Sequence, residues 1–181
     1  SERIEARVHP TLVPVSSLLA RVDGAMNAVA VIGDAVGETL FYGAGAGELP
    51  TASAVVGDLM EIARELRRGN AGRVAPLSYV PEMLEPKPLV PLGELHGRFY
   101  LRFTAVDRPG VLAHLAGVLG EHEIGIESVM QKGRGGARES VPVIVLTHPA
   151  GEAAVRAALD HIDELEDVTA PTRLLRIEQE L

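Results

Sequence analysis

Cysteine and tryptophan are both absent from the 181 residues. Without thiols there is no disulfide and no thiolate metal site, which fits a reducing compartment. Aromatic residues make up only 3%, so any core must be built from valine, leucine, isoleucine and alanine, and a hydrophobic content of 46% is ample for that. No apolar run approaches the roughly 20 residues that span a bilayer, and no signal peptide opens the chain. Basic residues are outnumbered, 17 against 25 acidic, for a net charge of −8. Such a surface has no global attraction for nucleic acid or an anionic membrane. The expectation is a soluble cytoplasmic protein with neither as a partner. The histidines His9, His96, His114, His122, His148 and His161 form no metal-ligand spacing, so no metal is expected. There is no G-x-S-x-G nucleophile motif. The acidic run "DHIDELED", residues 160–167, reads as a solvated helix end, and Arg64, Arg67 and Arg68 as a solvated helix C-terminus.

What is present falls into two blocks. The chain begins at Ser1 without methionine and enters strand-like sequence at once, as expected of a piece cut from a longer chain with Ser1 a tag remnant. In the first block, "IEARVHPTLVP" reads as an extended strand and "SSLLARV" as a short helix capped by Ser16. "MNAVAVIGD" and "ETLFYGA" read as strands joined by the turn "DAVG". "PTASAVVGDLMEIARELRRG" places Val55, Leu59, Ile62, Ala63 and Leu66 on one helical face. Pro50 suits its first turn, and Gly69 its C-terminal stop. Three strands and one long helix make a thin core, which needs the rest of a domain or a partner subunit.

Residues 70–96 hold five prolines and no clear period, and read as a linker. In the second block "RFYLRFTAV" alternates strictly, with Phe99, Leu101, Phe103 and Ala105 on one face. "DRPGVLAHLAGVLGEH" is a turn and a helix with Val111, Leu112, Leu115, Val118 and Leu119 inward. "IGIESVMQK" is a strand, "GRGGARES" a glycine-rich hairpin loop, and "VPVIVLTH" a strand apolar on both faces. "AGEAAVRAALDHI" is a helix with Val155, Ala158, Leu159 and Ile162 in register, and "TAPTRLLRIEQ" the last strand. The fold class is therefore α+β: a partial mixed sheet-plus-helix block, then a ferredoxin-like βαββαβ unit.

Two loops could carry chemistry. "GAGAGELPTASAVVGDL", residues 43–59, runs glycines into a helix. It can be a tight turn with good capping, because Gly43, Gly45 and Gly47 permit positive φ. It can also present helix-end amides to an anion or a polar ligand edge, although a lone glycine repeat is weak and no P-loop lysine accompanies it. Asp107-Arg108-Pro109-Gly110 is a turn before a helix on either reading. Glycine at that junction leaves amides accessible at a positive helix end, where an amino-acid carboxylate would bind.

"AVDRPGVLAHLAGVLGEHEIGIESVMQKG" resembles the first half of an ACT domain, the regulatory module of many amino-acid-pathway enzymes. The stretch from "VHPTLVPVSS" through "GAGAGELPTASAVV" to "MEIAR" resembles the end of a homoserine dehydrogenase catalytic domain. Together they resemble the C-terminal part of that family. This divides the chain into 1–69, catalytic and dimerisation; 70–96, linker; and 97–181, ACT.

The resemblance implies a parent enzyme that interconverts L-homoserine and L-aspartate 4-semialdehyde with NAD or NADP, in threonine, methionine and isoleucine biosynthesis. Gly45, Gly47 and Thr51 would face the cofactor. The family's Rossmann domain, catalytic lysines and sodium site precede this segment, so no catalytic residue is expected here, no cofactor bound to the fragment, and no activity from it alone. An effector, threonine first, would sit at Asp107, Gly110, Val111 and Leu112, against Ile126, Glu127 and Ser128 of a neighbouring ACT domain in a homo-oligomer, most simply a dimer. The rival readings are a non-enzymatic amino-acid sensor and a structural ACT dimerisation module.

Overall fold

The computed structural model describes residues 3–69, 79, 81–131, 133 and 140–178. Most of the proline-rich segment 70–80 and of the glycine-rich loop 132–139 lies outside the described residues. Contacts divide the chain into two compact units. One joins the segment up to Pro14 with the chain from Pro88, and the other is Val15–Lys87.

The first unit is built on β4 (His96–Val106), whose strict alternation drives Phe99, Leu101, Phe103 and Ala105 into the core at 1% exposure or less. After β4 come α2 (Val111–Glu121), β5 (Ile126–Gln131), β6 (Ser140–Thr147), the two-residue β7 (Ala150–Gly151), α3 (Glu152–Asp163) and β8 (Val168–Ile177). With β1 (Thr11–Leu12), the strands lie in the order β1-β8-β4-β6-β5, and β7 pairs with β4. β4 is antiparallel to both β6 and β8, and β5 is antiparallel to β6. This is the βαββαβ unit expected. Val111, Leu115, Val118 and Leu119 of α2, and Val155, Ala158 and Ile162 of α3, pack with Val143 and Val145 of β6 in one core. Buried Thr147 is satisfied where the β4–β6 ladder ends, its hydroxyl accepting from the Phe99 N–H at 3.0 Å.

One expectation about packing fails here. Leu112 is 43% exposed, because it flanks the buried stripe in the first turn of α2. Leu159 is partly buried and packs against the core. Another difference is larger. The segment from Ile4 to Pro14 forms no continuous strand, and it belongs to this unit. Ile4 bridges Leu89, donating to the Pro88 carbonyl and accepting from the Val90 N–H at 2.9 Å each. Thr11–Leu12 then runs parallel to β8, with Thr11 opposite Arg176. Pro10 and Pro14 bracket this strand, and each lacks the N–H that a longer ladder requires.

In the second unit, β2 (Met26–Gly33) and β3 (Gly37–Ala44) pair in unbroken register from Met26/Ala44 to Gly33/Gly37. Gly37 adopts φ +74° after the turn, a conformation disfavoured for a side-chain-bearing residue. The short helix is a 3-10 turn, Leu18–Arg21, and its cap is Ser17 rather than Ser16, with the Ser17 hydroxyl accepting from the Leu19 N–H at 3.2 Å. α1 (Glu48–Arg68) ends at Gly69 in the left-handed conformation, as its sequence requires. The apolar stripe on one helical face is left uncovered. Val55, Leu59, Ile62 and Leu66 are all exposed, and α1 has no buried residue. Among the described residues no helix is long and apolar enough to cross a membrane.

Candidate functional site

Two loops concentrate the candidate residues, one in each unit. Both lie where a strand or turn delivers the backbone to the N-terminus of a helix.

In the second unit, β3 ends at Ala44 and the backbone crosses Gly45 and Gly47 into α1. Gly45 is fixed by close approach: a Cβ there would fall on the Asn27 side chain, and its N–H donates to the Ala25 carbonyl at 3.3 Å. Gly47 caps the helix at φ +125°, and a Cβ there would press on Pro50 Cδ at 3.2 Å. The Gly47 carbonyl accepts from the Thr51 N–H at 3.1 Å. Pro50 has no N–H, so the free donors of the first turn are those of Glu48 and Leu49. Every residue from 43 to 51 is exposed. Glu48 already places a carboxylate at the positive helix end. The loop is therefore a bare backbone surface suited to a polar ligand edge more than to a strongly charged anion. Gly45, Gly47 and Thr51 stand together on it.

In the first unit, Gly110 caps α2 at φ +96°, and a Cβ there would meet nothing within 4 Å. The space beside Gly110 is therefore open, while the Val111 N–H already donates to the Arg108 carbonyl at 3.4 Å. Val111 contributes only backbone, because its side chain is buried. Two contacts hold the loop from below. Asp107 Oδ1 accepts from Gln131 Nε2, at the end of β5, at 3.0 Å. Arg108 reaches down to Asp167, between α3 and β8, in an ion pair. His114 of α2 meets the other oxygen of the same carboxylate at 3.2 Å. Asp167 is 5% exposed, so the reading of residues 160–167 as a solvated helix end fails at its last residue. Asp163 also has a structural task, accepting from the Thr172 N–H at 3.0 Å.

Asp107, Gly110, Val111 and Leu112 are contiguous and gathered at one place. Ile126, Glu127 and Ser128 are not beside them within one chain. They open β5, whereas the residue touching Asp107 is Gln131 at its other end. Glu127 is ion-paired with Arg98, whose Nε also donates to the Thr147 carbonyl at 3.3 Å. Ser128 is exposed, and Ile126 is partly buried against the core. Gln131, His114 and Asp167 escaped the sequence reading. They come from three separate elements, and only tertiary structure converges them. Among the described residues no group of histidine or acidic side chains could hold a metal.

The βαββαβ unit is a domain of the ferredoxin-like class, and residues 99–166 match the ACT domain family model. Residues 1–60 match the family model of homoserine dehydrogenase. The chain belongs to the homoserine dehydrogenase family and corresponds to its C-terminal portion. It is 46% identical to the homoserine dehydrogenase of Pseudomonas aeruginosa and 45% to that of Neisseria gonorrhoeae, over 97% of this chain in each case. The crystal structure of a homoserine dehydrogenase from Thiobacillus denitrificans superimposes with a TM-score of 0.84 at 45% identity over 99% of this chain. In all three comparisons the chain spans 40% of the relative's length.

Proposed function

We propose that this chain works as the C-terminal part of an NAD- or NADP-dependent homoserine dehydrogenase, interconverting L-homoserine and L-aspartate 4-semialdehyde, and that its ACT domain senses an amino-acid end product. The observation that carries this reading is the continuity of the family likeness across both units. A stand-alone sensor or a structural dimerisation module would need only the ACT part. The family's setting is cytoplasmic amino-acid biosynthesis, and a homodimer is the simplest assembly.

The glycine loop suits one wall of a dinucleotide site. Its glycines carry no side chains to hold a ligand off, and Glu48 and Leu49, whose amides have no acceptor within the helix, are exposed residues. When bound, the nicotinamide ring supplies the acceptor or donor of hydride. Within this chain, Gly45 and Gly47 would set how closely the backbone approaches it, and Thr51 would offer a hydroxyl to a polar edge. No acid or base of the proton-transfer step is assigned here. The effector, with threonine the leading candidate, would bring its carboxylate to the Gly110 amide and, displacing its long 3.4 Å bond to the Arg108 carbonyl, to the Val111 amide. Its ammonium group would meet Asp107, and Ser128 of a second copy would read its hydroxyl. Glu127 is less available as an acceptor because Arg98 already neutralises it.

The test joins this chain to the upstream part that its relatives carry and follows homoserine-dependent reduction of NAD and NADP. The joined protein should turn over, and the chain alone should not. Activity in the chain alone, or none in the joined and folded protein, would overturn the reading. Titration calorimetry of the chain with threonine tests the effector part, and no heat at millimolar threonine would remove it.

A further inference from the structure

We propose that Asp167 is a positioning residue for the effector loop, clamping Arg108 and His114 so that the α2 N-terminus is held open and electrically clear. The proposal rests on the effector reading given above and goes beyond it, because no part of that reading involves residues of the α3–β8 connection.

Asp167 is buried, yet it touches three successive parts of the effector module. Its carbonyl accepts from the Val106 N–H at 2.9 Å, fixing the last residue of β4. One carboxylate oxygen pairs with Arg108 in the loop, and the other meets His114 Nδ1 in α2 at 3.2 Å. The strand end, the loop and the helix are thereby referenced to one side chain. The loop needs such a reference. Gly110 sits at positive φ with no side chain to anchor it, and only backbone bonds hold it locally, its carbonyl accepting from the His114 N–H at 3.0 Å and the Arg108 carbonyl from the Val111 N–H at 3.4 Å. Glycine also has more backbone freedom to lose than any other residue.

Charge supplies the second half of the argument. A buried carboxylate beneath the first turns of α2 would, left alone, oppose the positive helix end that is to receive an effector carboxylate. Arg108 and, when protonated, His114 neutralise it. The Arg108 guanidinium is drawn down to Asp167, although the residue is exposed at the loop surface. On this geometry Arg108 does not bind the effector directly. It keeps the loop in place and cancels the charge below it.

The experiment compares wild type, Asp167→Asn, Arg108→Gln and the double variant, each in the whole chain. The probe is threonine in titration calorimetry, and amide hydrogen exchange is followed at residues 107–112. Each single variant should weaken threonine binding at least tenfold and speed exchange at Arg108–Val111. The double variant should be no worse than the worse single one, since both changes break one contact. A general loss of stability would instead add and would also raise exchange in β6. If Asp167→Asn does not fold, Arg108→Gln, whose side chain is more than half exposed, carries the test alone. Undiminished binding with unchanged exchange in folded variants would overturn the clamp. If wild type binds no threonine, the effector reading fails; unchanged loop exchange in the variants then overturns the clamp separately.

Discussion

Glu152 should be among the most costly side chains in the first unit to remove. It opens α3 and is 1% exposed. Arg176 of β8, itself 11% exposed, reaches both carboxylate oxygens, with Nε at 2.9 Å from Oε2. Arg156, one turn along α3, donates to Oε1 from Nε at 2.9 Å. Replacing Glu152 by alanine would leave the Arg176 guanidinium buried without its counter-charge. Breaking a buried pair in this way costs about 3–5 kcal/mol. The exposed Arg156 arm adds little, since a solvated i,i+4 pair is worth about 0.3–0.5 kcal/mol. In a domain of this size each kcal/mol moves the melting temperature by about 4–8 °C, so Glu152→Ala should lower it by about 12 °C or more. The assay is thermal and urea unfolding followed by circular dichroism. A paired Glu152→Met/Arg176→Met change should recover most of the loss, because an ion pair replaced by apolar volume is often neutral. A Glu152→Ala loss below about 1 kcal/mol would refute the reasoning, because it would place the pair in the range of solvated ones.

Gly47→Ala forces a side chain into φ +125° against Pro50, a strain of about 1–3 kcal/mol. In the joined enzyme it should raise the KM for the nicotinamide cofactor, and an unchanged KM would count against the loop as a cofactor wall. Gly110→Asp has room for its Cβ but not the right φ, so it should destabilise the chain by about 1–3 kcal/mol and abolish threonine binding in calorimetry. Light scattering at micromolar concentration should return the mass of two or more chains, and a monomer would contradict the oligomer.

The strands and helices that serve one core were legible because their periodicity reports burial directly. Phe99, Leu101, Phe103 and Ala105 needed only the period of two, and Val155, Ala158 and Ile162 only that of a helix. The residues that tie elements together carry no such period. Glu152 and Asp167 look like ordinary solvated acids in sequence, since what buries them is the approach of Arg176, Arg108 and His114 from other elements. The N-terminal segment hid for a related reason. Its two residues of pairing with β8 are set by that strand's open edge, not by any alternation of their own. Of the candidate sites, the glycine positions could be read because positive φ or close approach demands glycine, whereas the supports beneath them could not.

The apolar pattern of α1 shows what a periodicity measures. Val55, Leu59, Ile62 and Leu66 keep a clean helical stripe, yet each is between 53% and 64% exposed. Leu49, Val56 and Met60 add further exposed apolar surface to the same helix, and Val29, Ile32, Phe41 and Tyr42 do so on the hairpin. Fully burying one such side chain is worth about 1.5–3 kcal/mol, so covering what is still exposed of the four residues of the stripe represents about 4–7 kcal/mol. That is comparable to the whole stability of a typical domain. A stripe of this kind is what a helix carries when a further surface is to cover it, in line with the oligomer proposed above. The ACT unit shows the opposite behaviour, since its helical stripes are buried within the chain itself. The two units therefore differ in kind. One closes its own core within the chain. The other leaves its helical stripe uncovered, which is what the proposed oligomer and the proposed cofactor wall would require of it.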